Sequence, residues 1–258
     1  MNALAQNLVE ILTSLRQQYG VTAVKCNLEA EGSRLDEIAR TKEIAVRAGV
    51  GLTIKIGGCE ALTDLRLARM FGADCLMAPM IESRFALEKY LAMAAAEYTA
   101  AELADMKLLI NIETIDGYEK LDQILSADHI DRLHGIVLGR TDLVQALGVT
   151  DVNAPPVLAI ARNVFTKARQ HALQCMVGGG TTVTSVPFFR QLQGVLDGFE
   201  TRKVVFADPG KAEGALVEGI LLALRFEYHW YELKQQYYGR IYNEDTAKMK
   251  NLANVLQL

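Results

Sequence analysis

The chain is poor in several residue types that mark common functional classes. It has four cysteines, Cys26, Cys59, Cys75 and Cys175, with no C-x-x-C pair among them. Three of these lie in or beside apolar runs, which favours buried free thiols over disulfides or a zinc site. There is no basic excess: 27 Lys and Arg stand against 31 Asp and Glu, a net charge of −4. Without a polybasic cluster, the composition offers neither a nucleic-acid footprint nor an anionic-lipid patch. No apolar run reaches the length of a membrane span. The opening residues, MNALAQNLVEILTSL, lack a basic start and a cleavage site and read as an amphipathic helix rather than a signal peptide. Histidine is scarce: His129, His134, His171 and His229 share no spacing, and none sits at a clear strand end. These absences predict a cytoplasmic protein in a reducing setting, with no membrane and no nucleic-acid partner.

What is present is a large apolar fraction, 50% of 258 residues, enough for one large core. Short apolar runs recur along the chain, each followed by a helical pattern. They are Thr22 to Glu29, Gly51 to Ile56, Cys75 to Ile81, Leu108 to Ile112, Ile136 to Leu138, Leu173 to Val177, and a run somewhere within Val195 to Phe206. Strands alternating with helices argue α/β with a parallel sheet. The leading fold is a modified TIM (β/α)8-type barrel with seven regular strands visible. A doubly wound sheet is the runner-up, although no G-x-G-x-x-G follows the first strand. No linker divides the chain, so residues 1–258 read as a single barrel domain, with 209–258 as a C-terminal helical extension. The late aromatics Phe226, Tyr228, Trp230, Tyr231, Tyr237 and Tyr238 suit a subunit interface and predict a homo-oligomer.

The stretch from Lys107 to Leu143 carries the chemistry. LLINIET and GIVLGRTDL each carry a carboxylate next to their last residue, Glu113 and Asp142. In a parallel βαβ unit the C-terminal ends of both strands open on the same side. The two carboxylates are therefore expected to face one pocket, as oxygen ligands for a hard divalent cation. The alternative is a pair of ordinary polar strand ends. Lys25, Asn27 and Glu29 alternate and share one face of the first strand, as an inward polar site or a solvated face.

At LTIKIGGCEALTDL, CLMAPMIES, LLINIETIDGYEKLDQIL and GIVLGRTDL the chain resembles the HpcH/HpaI aldolase and citrate lyase β-subunit family, over roughly residues 22–206. The resemblance implies a modified TIM barrel that makes or breaks a carbon–carbon bond beside pyruvate, oxaloacetate or an acyl-thioester. The cofactor it implies is a divalent metal, Mg2+ foremost, with Mn2+ or Co2+ as substitutes. It assigns the metal carboxylates to Glu113 and Asp142. It places Lys55 where the family has a carboxylate-binding arginine, and Asn111 at the polar position before the glutamate. Gly139, Arg140 and Thr141 fall in the loop that would hold a ketoacid carboxylate through backbone N–H groups.

The departures are specific. The family's Asp-x-Glu-His run reads Asn27-Leu28-Glu29-Ala30 here, which keeps Glu29 as the acidic candidate and lacks the histidine base. The strand that precedes the first helix in the family is also missing, because the chain starts inside that helix. Several functional readings stay open: an aldolase-type lyase, a citrate-lyase-like or phosphoenolpyruvate-using synthase, and a ligand-binding or assembly subunit without catalysis. Gly178-Gly179-Gly180-Thr181-Thr182 follows a strand as a glycine-rich loop able to take an anion. Arg202 would complete that pocket if the last strand spans Val195 to Thr201, and would lie at the opposite face if the strand spans Lys203 to Phe206.

Overall fold

The computed structural model describes residues 2–211 and 213–256. The elements run α1 (Ala3–Tyr19), β1 (Val21–Asn27), α2 (Leu35–Ala48), β2 (Gly51–Lys55), α3 (Leu62–Met70), β3 (Cys75–Ala78) and α4 (Arg84–Glu97). A short α5 (Ala100–Ala104), β4 (Lys107–Ile112), two short helices α6 (Ile115–Glu119) and α7 (Leu121–Leu125), and β5 (Gly135–Gly139) follow. Then come α8 (Arg140–Leu147), α9 (Pro155–Gln170), β6 (Gln174–Gly178), α10 (Val186–Gln191), β7 (Gly198–Glu200), β8 (Val204–Phe206) and α11 (Glu213–Leu256).

The strands close into one barrel in chain order, β1 to β8. β1 through β7 pair in parallel, and β8 pairs antiparallel with both β7 and β1. This resolves the count of seven. The segment expected to hold a single strand in one of two registers holds two, folded as a hairpin through Thr201, Arg202 and Lys203. Two hydrogen bonds fix the turn: Thr201 N–H donates to the Val204 carbonyl at 2.9 Å, and Val204 N–H donates to Thr201 Oγ1 at 3.2 Å. Gly198 is required in β7 because a Cβ there would lie 2.4 Å from the Phe206 carbonyl oxygen. On the outer face of the hairpin, Phe199 stacks between Phe189 and Phe206, with ring centroids 4.5 Å from each. The antiparallel return strand thus supplies the closure between β7 and β1.

Strand alternation divides the core in two. Cys75, Met77, Leu109, Val137, Met176 and Val205 fill the bore, while the opposite faces of the strands pack on the helices. α1 buries Leu8, Leu12 and Leu15 completely, as its helical spacing demands. Ser83 caps α4 by accepting from Ala86 N–H. The last helix is longer than the pattern suggested. It has 44 residues and spans about 66 Å at about 1.5 Å per residue. Its first half packs along α1, whereas Tyr242, Met249, Leu252 and Leu256 stand exposed. Among the described residues, no helix is long and apolar enough to cross a membrane.

Candidate active site

Glu113 follows the last residue of β4 and is 2% exposed. Three groups converge on its carboxylate. Met80 N–H donates to Oε1 at 3.0 Å, and Asn111 Nδ2 donates to Oε2 at 2.8 Å. Lys55 Nζ, at the end of β2, reaches both oxygens, at 3.3 and 3.1 Å. Asn111 shares the inward face of β4 with Glu113 because residues two apart on a strand point the same way. Met80 presents its N–H from a left-handed backbone, φ 51°, a conformation that costs energy outside glycine and concentrates at functional sites. No residue type in the sequence announces this contact, since it comes from the backbone.

Asp142 lies in the first turn of α8, half-buried. Burial raises its pKa above the ordinary carboxylate value, the charge of Glu113 raises it further, and Lys55 works against both. The two carboxylates are therefore near enough to repel one another, and the charge of Lys55, which pairs with Glu113, reaches Asp142 as well. Gly139 makes this possible: a Cβ there would lie 2.5 Å from Glu113 Oε2. The donor set fits a hard cation, because two carboxylates carry two negative charges and only one ammonium offsets them. Among the described residues, no group of three or more His, Cys, Asp or Glu comes together.

The remaining expected residues divide. Gly139, Arg140 and Thr141 do form the junction of β5 and α8, and Thr141 is exposed to the mouth. The Arg140 side chain points away from any ligand. It is 0% exposed and donates to the Gly178 carbonyl at 3.2 Å, Asn153 Oδ1 at 2.7 Å, Thr181 Oγ1 at 3.1 Å and Ser185 Oγ at 3.3 Å. Burial pushes its pKa down to about 10. Arg140 is thus a brace that ties the start of α8 to the glycine-rich loop.

That loop is occupied by its own contacts. Gly179, at φ 78°, lies so close to α8 that a Cβ would sit 2.6 Å from Thr141 N and 2.8 Å from Arg140 N. Gly180 packs on Val152, Thr181 holds Arg140, and Thr182 bonds to Thr184. Arg202 stands at the mouth, in the hairpin turn, but its side chain is 61% exposed and pairs with Glu227 of α11 at 3.3 Å. The expected anion pocket of Gly179, Gly180 and Arg202 is not assembled, because the turn directs Arg202 outward to the helix. Glu29 sits exposed on the rim beside Gly57 and Asp64. Asn27 Oδ1 accepts from Glu29 N–H at 3.1 Å and Ala30 N–H at 3.0 Å, so the residue at the family's acidic position shapes the loop instead.

Comparison with known proteins agrees with this architecture. A family model described as HpcH/HpaI aldolase/citrate lyase matches residues 52–185. No curated protein matches significantly by sequence. Among solved structures, the chain is similar to an HpcH/HpaI aldolase from Desulfitobacterium hafniense, with a TM-score of 0.60 and 14% identity over 76% of this chain and 82% of that one. It is similar to an HpcH/HpaI aldolase/citrate lyase family protein from Burkholderia cenocepacia, with a TM-score of 0.58 and 16% identity over 84% and 98% of the two chains. The citrate synthase SbnG aligns with a TM-score of 0.59 and 15% identity over 87% and 90%.

Proposed function

The chain belongs to the HpcH/HpaI aldolase/citrate lyase family, and we propose that it makes or breaks a carbon–carbon bond adjacent to a 2-oxo acid such as pyruvate or oxaloacetate. The observation that carries this reading is the approach of Glu113, just after β4, and Asp142, in the first turn of α8, close enough for Glu113 to act on Asp142, with Lys55 paired to Glu113. Glu113 and Asp142 would hold a divalent cation, Mg2+ foremost. When bound, the cation supplies Lewis-acid stabilisation of the charge that develops on the oxo oxygen. Asn111 and Met80 N–H fix the Glu113 carboxylate through 2.8 and 3.0 Å hydrogen bonds, so it meets a ligand preorganised. Lys55 brings positive charge for a ligand carboxylate as a point charge, without the paired fork of an arginine. The start of α8 at Arg140 and Thr141 offers backbone N–H groups to the same carboxylate.

The test is exchange of pyruvate methyl protons into deuterated water in the presence of Mg2+ or Mn2+. Exchange in the wild type that disappears in Glu113→Gln and in Asp142→Asn supports the reading. A second reading, a barrel that binds such acids without turning them over, is favoured by Asn27. Its side chain is committed to the loop and not to the pocket. Pyruvate binding with no exchange under any divalent metal would establish that reading in place of the first.

The assembly proposed is a homo-oligomer built through the free half of α11. Tyr242, Met249 and Leu256 recur at heptad spacing and are all exposed, the pattern of a seam between like helices. Removal of residues 240–258 is expected to give a folded monomer by light scattering, whereas an unchanged oligomer places the interface elsewhere.

A further inference from the structure

Lys55 is needed in two places at once. A ligand carboxylate would draw its charge, yet in the structure its ammonium is committed to Glu113. Nζ lies 3.1 Å from Oε2 and 3.3 Å from Oε1. The lysine and glutamate side chains of this pair are 15% and 2% exposed.

A carboxylate has about four lone-pair sites. On Glu113 all of them are taken. Met80 N–H donates to Oε1 at 3.0 Å, Asn111 Nδ2 donates to Oε2 at 2.8 Å, and Lys55 reaches both oxygens. A divalent cation needs lone pairs of the same oxygens, and an ammonium in contact with them repels it. One of the three donors must therefore withdraw before a cation can share this carboxylate.

Met80 cannot withdraw, because its donor is backbone, held at φ 51°. Asn111 is 4% exposed and packed in the barrel. Lys55 differs. Its backbone is pinned between Asn27 of β1 and Met77 of β3, but its ammonium rides on a flexible four-carbon stem. The charge of Lys55 also favours the ionised form of Asp142. One ammonium thus serves as counter-ion to both carboxylates, a task that a divalent cation performs with twice the charge.

We propose that Lys55 is a displaceable lock on Glu113: it holds the carboxylate until a divalent cation takes its place, and only the displaced ammonium is free for the carboxylate of the acid. The inference rests on the 2-oxo acid reading above and adds an order to it, cation first and acid second. By linkage the coupling runs both ways, so the acid tightens the cation as well.

The experiment is calorimetry in two arms, neither of which reads turnover. Thermal unfolding of each variant first confirms that it is folded. In the first arm Mn2+ alone is titrated into wild type and Lys55→Met. Removing the lock is expected to tighten Mn2+ about tenfold, the worth of one hydrogen bond to a charged group. Equal or weaker Mn2+ binding in Lys55→Met overturns the lock.

In the second arm pyruvate is titrated in chelator into wild type, Glu113→Gln, Asp142→Asn and Lys55→Met/Glu113→Gln. Glu113→Gln frees the ammonium without any cation and should bind pyruvate at least about tenfold more tightly than wild type. Asp142→Asn removes the other negative charge but leaves the lock closed, so its affinity should stay near that of wild type. The double variant replaces the pair as a unit and should lose the gain. Equal gains in the two amide variants, no gain in Glu113→Gln, or a gain that persists without Lys55 each overturn the lock. Failure of pyruvate to bind wild type with Mn2+ present overturns the 2-oxo acid reading instead, and the Mn2+ arm then decides the lock by itself.

Discussion

Replacing each carboxylate of the pair by its amide should have opposite effects on the fold while abolishing cation binding in both. Glu113 receives Met80 N–H on Oε1, Asn111 Nδ2 on Oε2, and Lys55 on both. A glutamine offers one oxygen and one NH2 group, so its NH2 either confronts Met80 N–H or obliges Asn111 to turn its amide and accept instead of donate. Lys55, whose side chain is 15% exposed, also loses its counter-charge. Breaking a buried pair from one side costs about 3 kcal/mol at the low end. For a chain of this length, about 2 °C per kcal/mol makes this a fall of about 6 °C in Tm. Asp142 differs because it is held against its own tendency, with burial and the charge of Glu113 both favouring its neutral form. Asp142→Asn removes that repulsion and should leave Tm unchanged or higher. The assay is thermal unfolding of the three proteins in chelator at pH 7, with Mn2+ titrations of the same samples. A Glu113→Gln protein that melts with wild type, or an Asp142→Asn protein destabilised as much as Glu113→Gln, would refute the site as described.

Three further outcomes follow from the same geometry. Because the folded pKa of Asp142 is raised, its contribution to stability is fully present below the unfolded pKa and is lost as pH rises through the folded value. The stability advantage of Asp142→Asn over wild type in chelator should therefore grow from pH 4 to pH 7, as measured by urea unfolding. Arg140→Lys replaces a fork with four acceptors by a point donor and should cost about 2 kcal/mol, with faster hydrogen exchange in residues 178–182. Gly179→Ala forces a Cβ to 2.6 Å from Thr141 N at a positive φ; it should destabilise by about 3 kcal/mol and weaken pyruvate binding by shifting the start of α8.

Much of the barrel is legible in the chain because local signals agree with one another. The apolar runs around Leu52, Leu76, Ile110, Leu138 and Val177 are buried on both faces, as parallel strands must be, and glycines mark several helix ends. The hairpin is hidden for a physical reason. Gly198–Glu200 and Val204–Phe206 have three residues each, too short for periodicity to show. Their pairing depends on contacts with β1 and β6 and on the Phe189–Phe199–Phe206 stack.

The same division holds for the site. The sequence alone leads to the expectation that Glu113 and Asp142 open on one side of the barrel, because the ends of consecutive parallel strands share a face whatever the rest of the chain does. Asn111 joins Glu113 by strand alternation, which is equally local. The use of the arginines, by contrast, is decided by tertiary structure. Arg140 and Arg202 are adjacent to site residues in the chain, yet one turns inward to brace a loop and the other outward to Glu227. A long side chain goes where acceptors 38 to 45 residues away happen to lie, as at Gly178, Thr181 and Ser185 for Arg140. The Lys25–Glu200 pair, 175 residues apart in the chain, exists only because the barrel closes, since closure brings the first strand and the last hairpin to the same bore.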